Sequence, residues 1–211
     1  MSLGALLSVF SMLSILFLGV VVYRRNPRSA TNILFGLLCA DLVVWGVAQF
    51  FSVRASTEVE TLFWIRTVMV LVVPQAALFY LLMRIFPRAT LGINRYSLLA
   101  LSVASLLILF LAASPLVFSS VDGTGGTARP TPGPGIVAFG VFTVGSVLAG
   151  LYELLRKNLR AQGPERRQLR YLLFGVAAMF ALLIFLIFLN VAIFKDPSFV
   201  AYASVFTLPF V

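Results

Sequence analysis

A chain of 211 residues that is 61% hydrophobic and only 11% charged, with a mean hydropathy of +1.04, is too apolar for a soluble domain and fits a polytopic membrane protein. Its net charge of +9 would suit a nucleic-acid surface if the basic residues shared one face, but they alternate with the apolar segments, so no nucleic-acid partner is expected. The absence of histidine and the single cysteine, Cys39, exclude histidine-ligated haem or zinc, histidine general-base catalysis and an intramolecular disulfide; neither cofactor nor metal is expected.

Seven apolar segments follow one another, at about 3–23, 32–53, 61–86, 97–118, 135–155, 169–194 and 199–211. Runs of about twenty residues without strict alternation predict helices rather than a β-barrel, hence an all-α membrane bundle of six complete spans and a shortened seventh. The first segment has no basic residue before it and no small-residue cleavage site after it, so it reads as a retained span. Short connections favour antiparallel neighbours. Two connections stand out. Residues 119–134, rich in Gly, Pro and Thr, are expected to form a flexible excursion. Residues 158–170 carry the strongest basic cluster, with Gly163 suited to end the fifth helix and Pro164 to begin the sixth. The seventh segment, 199–211, would reach about 20 Å as a helix against a hydrocarbon core of about 30 Å, so a longer protein is expected, continuing into a further domain.

The basic residues set the direction. Arg24, Arg25, Arg28, Arg84, Arg88, Arg95, Arg156, Lys157, Arg160, Arg166, Arg167 and Arg170 follow odd-numbered segments, whereas only Arg54, Arg129 and Lys195 follow even-numbered ones. The positive-inside rule then puts the N-terminus outside and directs the seventh segment into the cytoplasm. Arg166, Arg167 and Arg170 form a cytoplasmic surface suited to anionic lipid or to docking of a following domain.

Polar groups within the segments are the candidates for signal or ligand contact. Asp41, Trp45, Ala48, Gln49 and Ser52 fall within an arc of about 100° on the second helix, and a carboxylate there has to face the bundle or a cavity. Arg66 enters the third segment from the other side and lies at a depth where its long side chain could approach Asp41 or, more closely, Gln49. The alternatives are purely structural roles, with Asp41 bonded to a neighbour and Arg66 snorkelling outward. Pro74 in mid-segment predicts a kink, because it gives no hydrogen bond to the Val70 carbonyl. Glu153 precedes Arg156 and Lys157 by three and four residues, so local ion pairing is expected; Gly145 and Ala149 have the small-xxx-small spacing of close helix packing. Trp64 and Asn190 read as an interfacial anchor and a helix-contact residue.

Several chemistries find no support. Lys157 and Lys195 both lie at segment ends, so neither offers a mid-membrane Schiff base for retinal. Pro74–Gln75 occurs once, whereas a PQ-loop transporter repeats the motif. No catalytic constellation is present, so the residues given are not expected to form an enzyme. A small transporter remains the competing reading; it would call for pseudo-symmetric halves with paired broken helices. A membrane scaffold without a signal of its own is a third.

Three stretches carry a resemblance: N-P-R-S-A-T-N at 26–32 leading into 37–45, FWIRTVMVLVVPQAALFYLLMRIFP at 63–87, and E-R-R-Q-L-R-Y-L-L-F-G at 165–175. Together they resemble the N-terminal seven-transmembrane region of prokaryotic sensor histidine kinases over essentially the whole chain. The resemblance implies a sensory input domain in a prokaryotic inner membrane, ahead of a cytoplasmic PAS, GAF, histidine-kinase or diguanylate-cyclase module. It also implies a homodimer formed through that module and a small-molecule or membrane stimulus, and it supplies no catalytic residue.

Overall fold

The computed structural model describes residues 3–86 and 93–188. Six helices and one hairpin run in the order α1 (Leu3–Arg25), α2 (Ala30–Arg54), α3 (Glu58–Ile85), α4 (Arg95–Ala113), β1 (Phe118–Asp122), a 3₁₀ turn (Gly125–Thr127), β2 (Arg129–Pro132), α5 (Ile136–Arg160) and α6 (Gly163–Phe188). The described residues include five helices, α1 to α5, long and apolar enough to cross a membrane. The seventh segment and Asn190 lie outside the described residues, as do Arg88 and Lys195.

Helix boundaries follow from local chemistry. Between α1 and α2, the Arg28 amide donates to Asn26 Oδ1 (3.2 Å), and Asn32 Nδ2 on α2 donates to the Val22 carbonyl (2.9 Å), satisfying one of the carbonyls left open where α1 ends. Thr57 caps α3 by accepting from the Glu60 amide (3.3 Å), while a Glu60 carboxylate oxygen accepts from the Ser56 amide (3.2 Å). The Thr-x-x-Glu capping pattern and two acidic residues in the first turn suit the positive end of the helix dipole. Asn94 caps α4 through the Tyr96 amide. Helix α5 ends at Arg160, where the Ala161 amide donates to the Lys157 carbonyl, so Gly163, with φ 62°, opens α6 rather than ending α5.

Helix α3 is the central element and packs against α2, α4 and α5. Two buried clusters share it. One joins Leu34 and Leu38 of α2, Phe79, Leu82 and Met83 of α3, Leu154 of α5 and Leu169 of α6; the other joins Val73 of α3, Ala112, Val117 and Phe139 of α5. Many large apolar side chains instead face outward, among them Phe10, Phe17, Leu107, Phe110, Val141 and Phe174. Such a surface would be ruinous in water and is what a bilayer solvates.

Three expectations need correcting here. The fourth segment does not run to Phe118: α4 ends at Ala113, because Pro115 disfavours helical geometry at Ser114, and Phe118 opens a strand. Residues 119–134 are ordered rather than a loose excursion. β1 and β2 pair antiparallel with Val121 opposite Pro130, and the register shifts at Ser119. The small-xxx-small pair is also unused among the described residues, since Gly145 and Ala149 are exposed and a side chain at Gly145 would meet open space. The glycine that does permit close approach is Gly150, which lies against Phe79.

Candidate functional site

The bundle has two differently built ends. At the hairpin end, the 3₁₀ turn lies over α2 and β1 lies over α3. Gly125 adopts φ 55°, and a Cβ there would sit 2.5 Å from the Val53 carbonyl oxygen, so only glycine lets the turn approach α2 so closely. The Gly125 amide donates to Thr61 Oγ1 (3.2 Å) and the Gly123 amide to Glu58 Oε1 (3.3 Å). Beneath the hairpin is a cavity of about 280 Å³, whose walls include Gln49 and Ser52 of α2, Val68 and Met69 of α3, and Phe118 and Gly125 of the hairpin.

Arg66 belongs to this end, but not as an ion-pair partner of Asp41. Its Nε and Nη2 donate to the Phe118 carbonyl (3.2 and 2.9 Å), and Nη2 also donates to the Ser119 carbonyl (3.3 Å). The register shift at Ser119 leaves these carbonyls available to the guanidinium. The Arg84–Glu153 ion pair lies at the other end of the bundle. Gln49 thus reaches the cavity wall, while Arg66 is held by the hairpin above it. Deeper on the same face of α2, Asp41 Oδ2 and Trp45 Nε1 are enclosed without a hydrogen-bond partner among the described residues. Trp64 stacks on Phe51 at 4.9 Å between ring centres, and the Arg54 guanidinium lies 3.6 Å over Phe50. This aromatic grouping suits an interfacial position.

The opposite, basic end is held by charge. Glu153 of α5 pairs with Arg84 of α3, with 2.8 Å between Oε1 and Nη1, instead of serving only its own helix; Arg84 Nη1 also donates to the Tyr80 hydroxyl (3.2 Å). Lys157 Nζ donates to the carbonyls of Met83 (3.0 Å), Phe86 (2.8 Å) and Arg84. A cation from α5 thereby caps the C-terminus of α3, where open carbonyls and the helix dipole both favour positive charge. The sequence reading missed this cap. Its one available signal is Pro87, which cannot continue α3 and has no N–H to offer.

The remaining candidates occupy distinct places. Helix α3 continues through Pro74, and the neighbouring Val73 is fully buried. On α3, the cavity residues and the Arg84 clamp lie on opposite sides of this proline. Arg166, Arg167 and Arg170 are exposed at the start of α6 and, with Gly163, line an open concavity of about 430 Å³. No group of three or more His, Cys, Asp or Glu side chains suited to a metal occurs among the described residues.

Comparison with known proteins gives one family. The description of the N-terminal 7TM region of histidine kinase matches residues 6–211. No curated protein and no solved structure matches the chain. A match over nearly the whole length, on a bundle of apolar helices, decides the matter: the chain belongs to the family of the N-terminal 7TM region of histidine kinase, a multi-pass membrane region.

Proposed function

We propose that this chain is the sensory input region of a sensor histidine kinase in the inner membrane of a prokaryote, passing a stimulus to a cytoplasmic output domain by helix rearrangement. The hairpin end faces outward and the basic end faces the cytoplasm, as the alternation of Arg and Lys requires. One observation carries the proposal: α3 lines the cavity through Ile65, Val68 and Met69 at one end and bears Arg84, its half of the ionic clamp with α5, at the other. Pro74 lies between them and deprives the Val70 carbonyl of its usual helical donor while the helix continues through it, so Pro74 marks the point about which α3 tilts. A change at the hairpin end then shifts α3 against α5 at the other, a displacement of the size by which packed helices switch. Dimerisation through the output domain, and contact of Arg166, Arg167 and Arg170 with anionic lipid, complete the picture.

The test uses the full-length protein in liposomes, with autophosphorylation as the readout. Glu153→Gln is expected to change the phosphorylation rate severalfold while membrane insertion stays intact, and Arg84→Gln added to it is expected to have little further effect. Unchanged output in both variants, together with unchanged output after α2 and α3 are joined by an engineered disulfide, would sink the proposal.

A further inference from the structure

We propose that the cavity beneath the hairpin binds a small, uncharged molecule with an apolar body and a neutral hydrogen-bonding end of the amide or hydroxy-carbonyl class. The inference deepens the sensory reading and rests on it for its biological meaning, though binding itself is measurable without any output.

Two side chains point to a ligand. Ser52 is 8% exposed and lines the cavity, yet its hydroxyl has no hydrogen-bond partner among the described residues. Gln49, three residues earlier on the same face of α2, also lines the cavity with its amide unpartnered among those residues. Ser52 is buried and Gln49 half-buried; polar groups withdrawn from water are nearly always satisfied, so a hydroxyl and a carboxamide left open side by side on a cavity wall are poised to bond something else. An amide offers one carbonyl and N–H donors, so a ligand that both donates and accepts matches Gln49 reciprocally and leaves the Ser52 hydroxyl free to serve either role.

The rest of the wall sets the ligand's charge and size. Val53, Ile65, Val68, Met69 and Phe118 give an apolar surface, and no ionisable side chain lines the cavity. Three arginines adjoin wall residues in the sequence, and none lines the cavity: Arg66 donates three hydrogen bonds to the Phe118 and Ser119 carbonyls, Arg54 lies over the Phe50 ring, and Arg129 is exposed on β2. An ionised ligand would therefore lose its hydration without gaining a counter-charge, a cost that excludes free carboxylates and phospholipid headgroups. About 280 Å³ is at the small end of ligand sites, which suits a compact molecule rather than a long-chain lipid. Entry does not require the hairpin to detach: the cavity is open along one side, and the turn beside it is tied to α3 by the Gly125 and Gly123 bonds alone.

The full-length protein, carrying Cys39→Ala and the reporter Val53→Cys, is placed in lipid nanodiscs and treated with uncharged methyl methanethiosulfonate. Millimolar hexanamide is expected to slow modification of the reporter about fivefold, the protection given by a ligand at a few times its dissociation constant. Hexanoate, its charged counterpart, is expected to leave the rate unchanged, as is hexanamide at a control thiol introduced by Val59→Cys on the exposed start of α3. Gln49→Leu combined with Ser52→Ala is expected to abolish protection without altering the unprotected rate. An unreactive reporter, equal slowing by hexanamide and hexanoate, or protection that survives the double substitution would each overturn the assignment. The sensory reading stands or falls separately: Val53→Trp fills the cavity, and unchanged autophosphorylation in that variant would refute signalling through the site while leaving the binding result intact.

Discussion

The hairpin end and the basic end of the same bundle are closed by different forces. At the hairpin end the covering element is held mainly through its own main chain, by the Gly125 and Gly123 amides and by the carbonyls that Arg66 grips. At the basic end side-chain charges do the joining, with Arg84 on Glu153 and Lys157 on the carbonyls that end α3. A neutral hydrogen bond contributes about 1 kcal/mol net, and one involving a charged group about 1.5–3 kcal/mol. Charge-assisted bonds occur at both ends, but at the hairpin end the 3₁₀ turn itself is tied to α3 only by the Gly125 and Gly123 amides. This turn is the part that opens at low cost, whereas rearranging the basic end separates two helices joined by charge. For a region that receives on one side and transmits on the other, that division separates access from coupling.

Breaking the stronger end gives the largest expected effect. Lys157→Met keeps the length and apolar stem of the side chain but removes the cation from the α3 carbonyls; it is expected to cost about 3 kcal/mol, read as a lowered thermal midpoint in nanodiscs. A loss no greater than that of a lipid-facing control would mean that charge does not hold this end.

At the hairpin end, Gly125→Ala forces a side chain toward the Val53 carbonyl at a positive φ. The expected cost is about 2 kcal/mol, confined to the hairpin and seen as faster proteolytic cleavage within 119–134, with the midpoint of the bundle little changed. If the whole bundle is destabilised equally, the two ends are not independent.

The smallest effect per residue is expected from Arg166→Gln with Arg167→Gln and Arg170→Gln. Each arginine near an anionic surface contributes about 1 kcal/mol, and the contribution is screened by salt. Replacing anionic by zwitterionic lipid is expected to change the thermal midpoint of the parent but not of the triple variant. A lipid response that survives in the variant would place the anionic contact elsewhere.

What the sequence disclosed divides along physical lines. Spanning helices were legible because a bilayer forces every backbone group into internal hydrogen bonds and makes apolar length the dominant signal. The face shared by Asp41, Trp45, Gln49 and Ser52 was legible too, since 100° per residue is fixed by helix geometry, and Gln49 with Ser52 does reach the cavity wall. Partners on other elements were not. Glu153 has cations three and four residues away, and local spacing gives no hint of Arg84, sixty-nine residues earlier in the chain. Spacing along the helices pairs Arg66 with side chains on α2, whereas its partners are main-chain carbonyls of a segment whose glycines and prolines read as a flexible excursion. Pro130 and Pro132 lie in β2, where proline removes a ladder donor and is tolerated only at an edge; in a hairpin both strands are edges.

Pro74 gives α3 unequal arms. Sixteen residues separate it from the start of the helix at Glu58 and eleven from the end at Ile85, lengths of about 24 and 16 Å. A helix pivoting at this point is a lever whose long arm lies under the hairpin and whose short arm carries Arg84. A sideways displacement of 1 Å at the outer tip therefore becomes about 0.7 Å at the inner one. The stroke shrinks while the force grows in proportion, an exchange suited to a weak input working against a strong clamp.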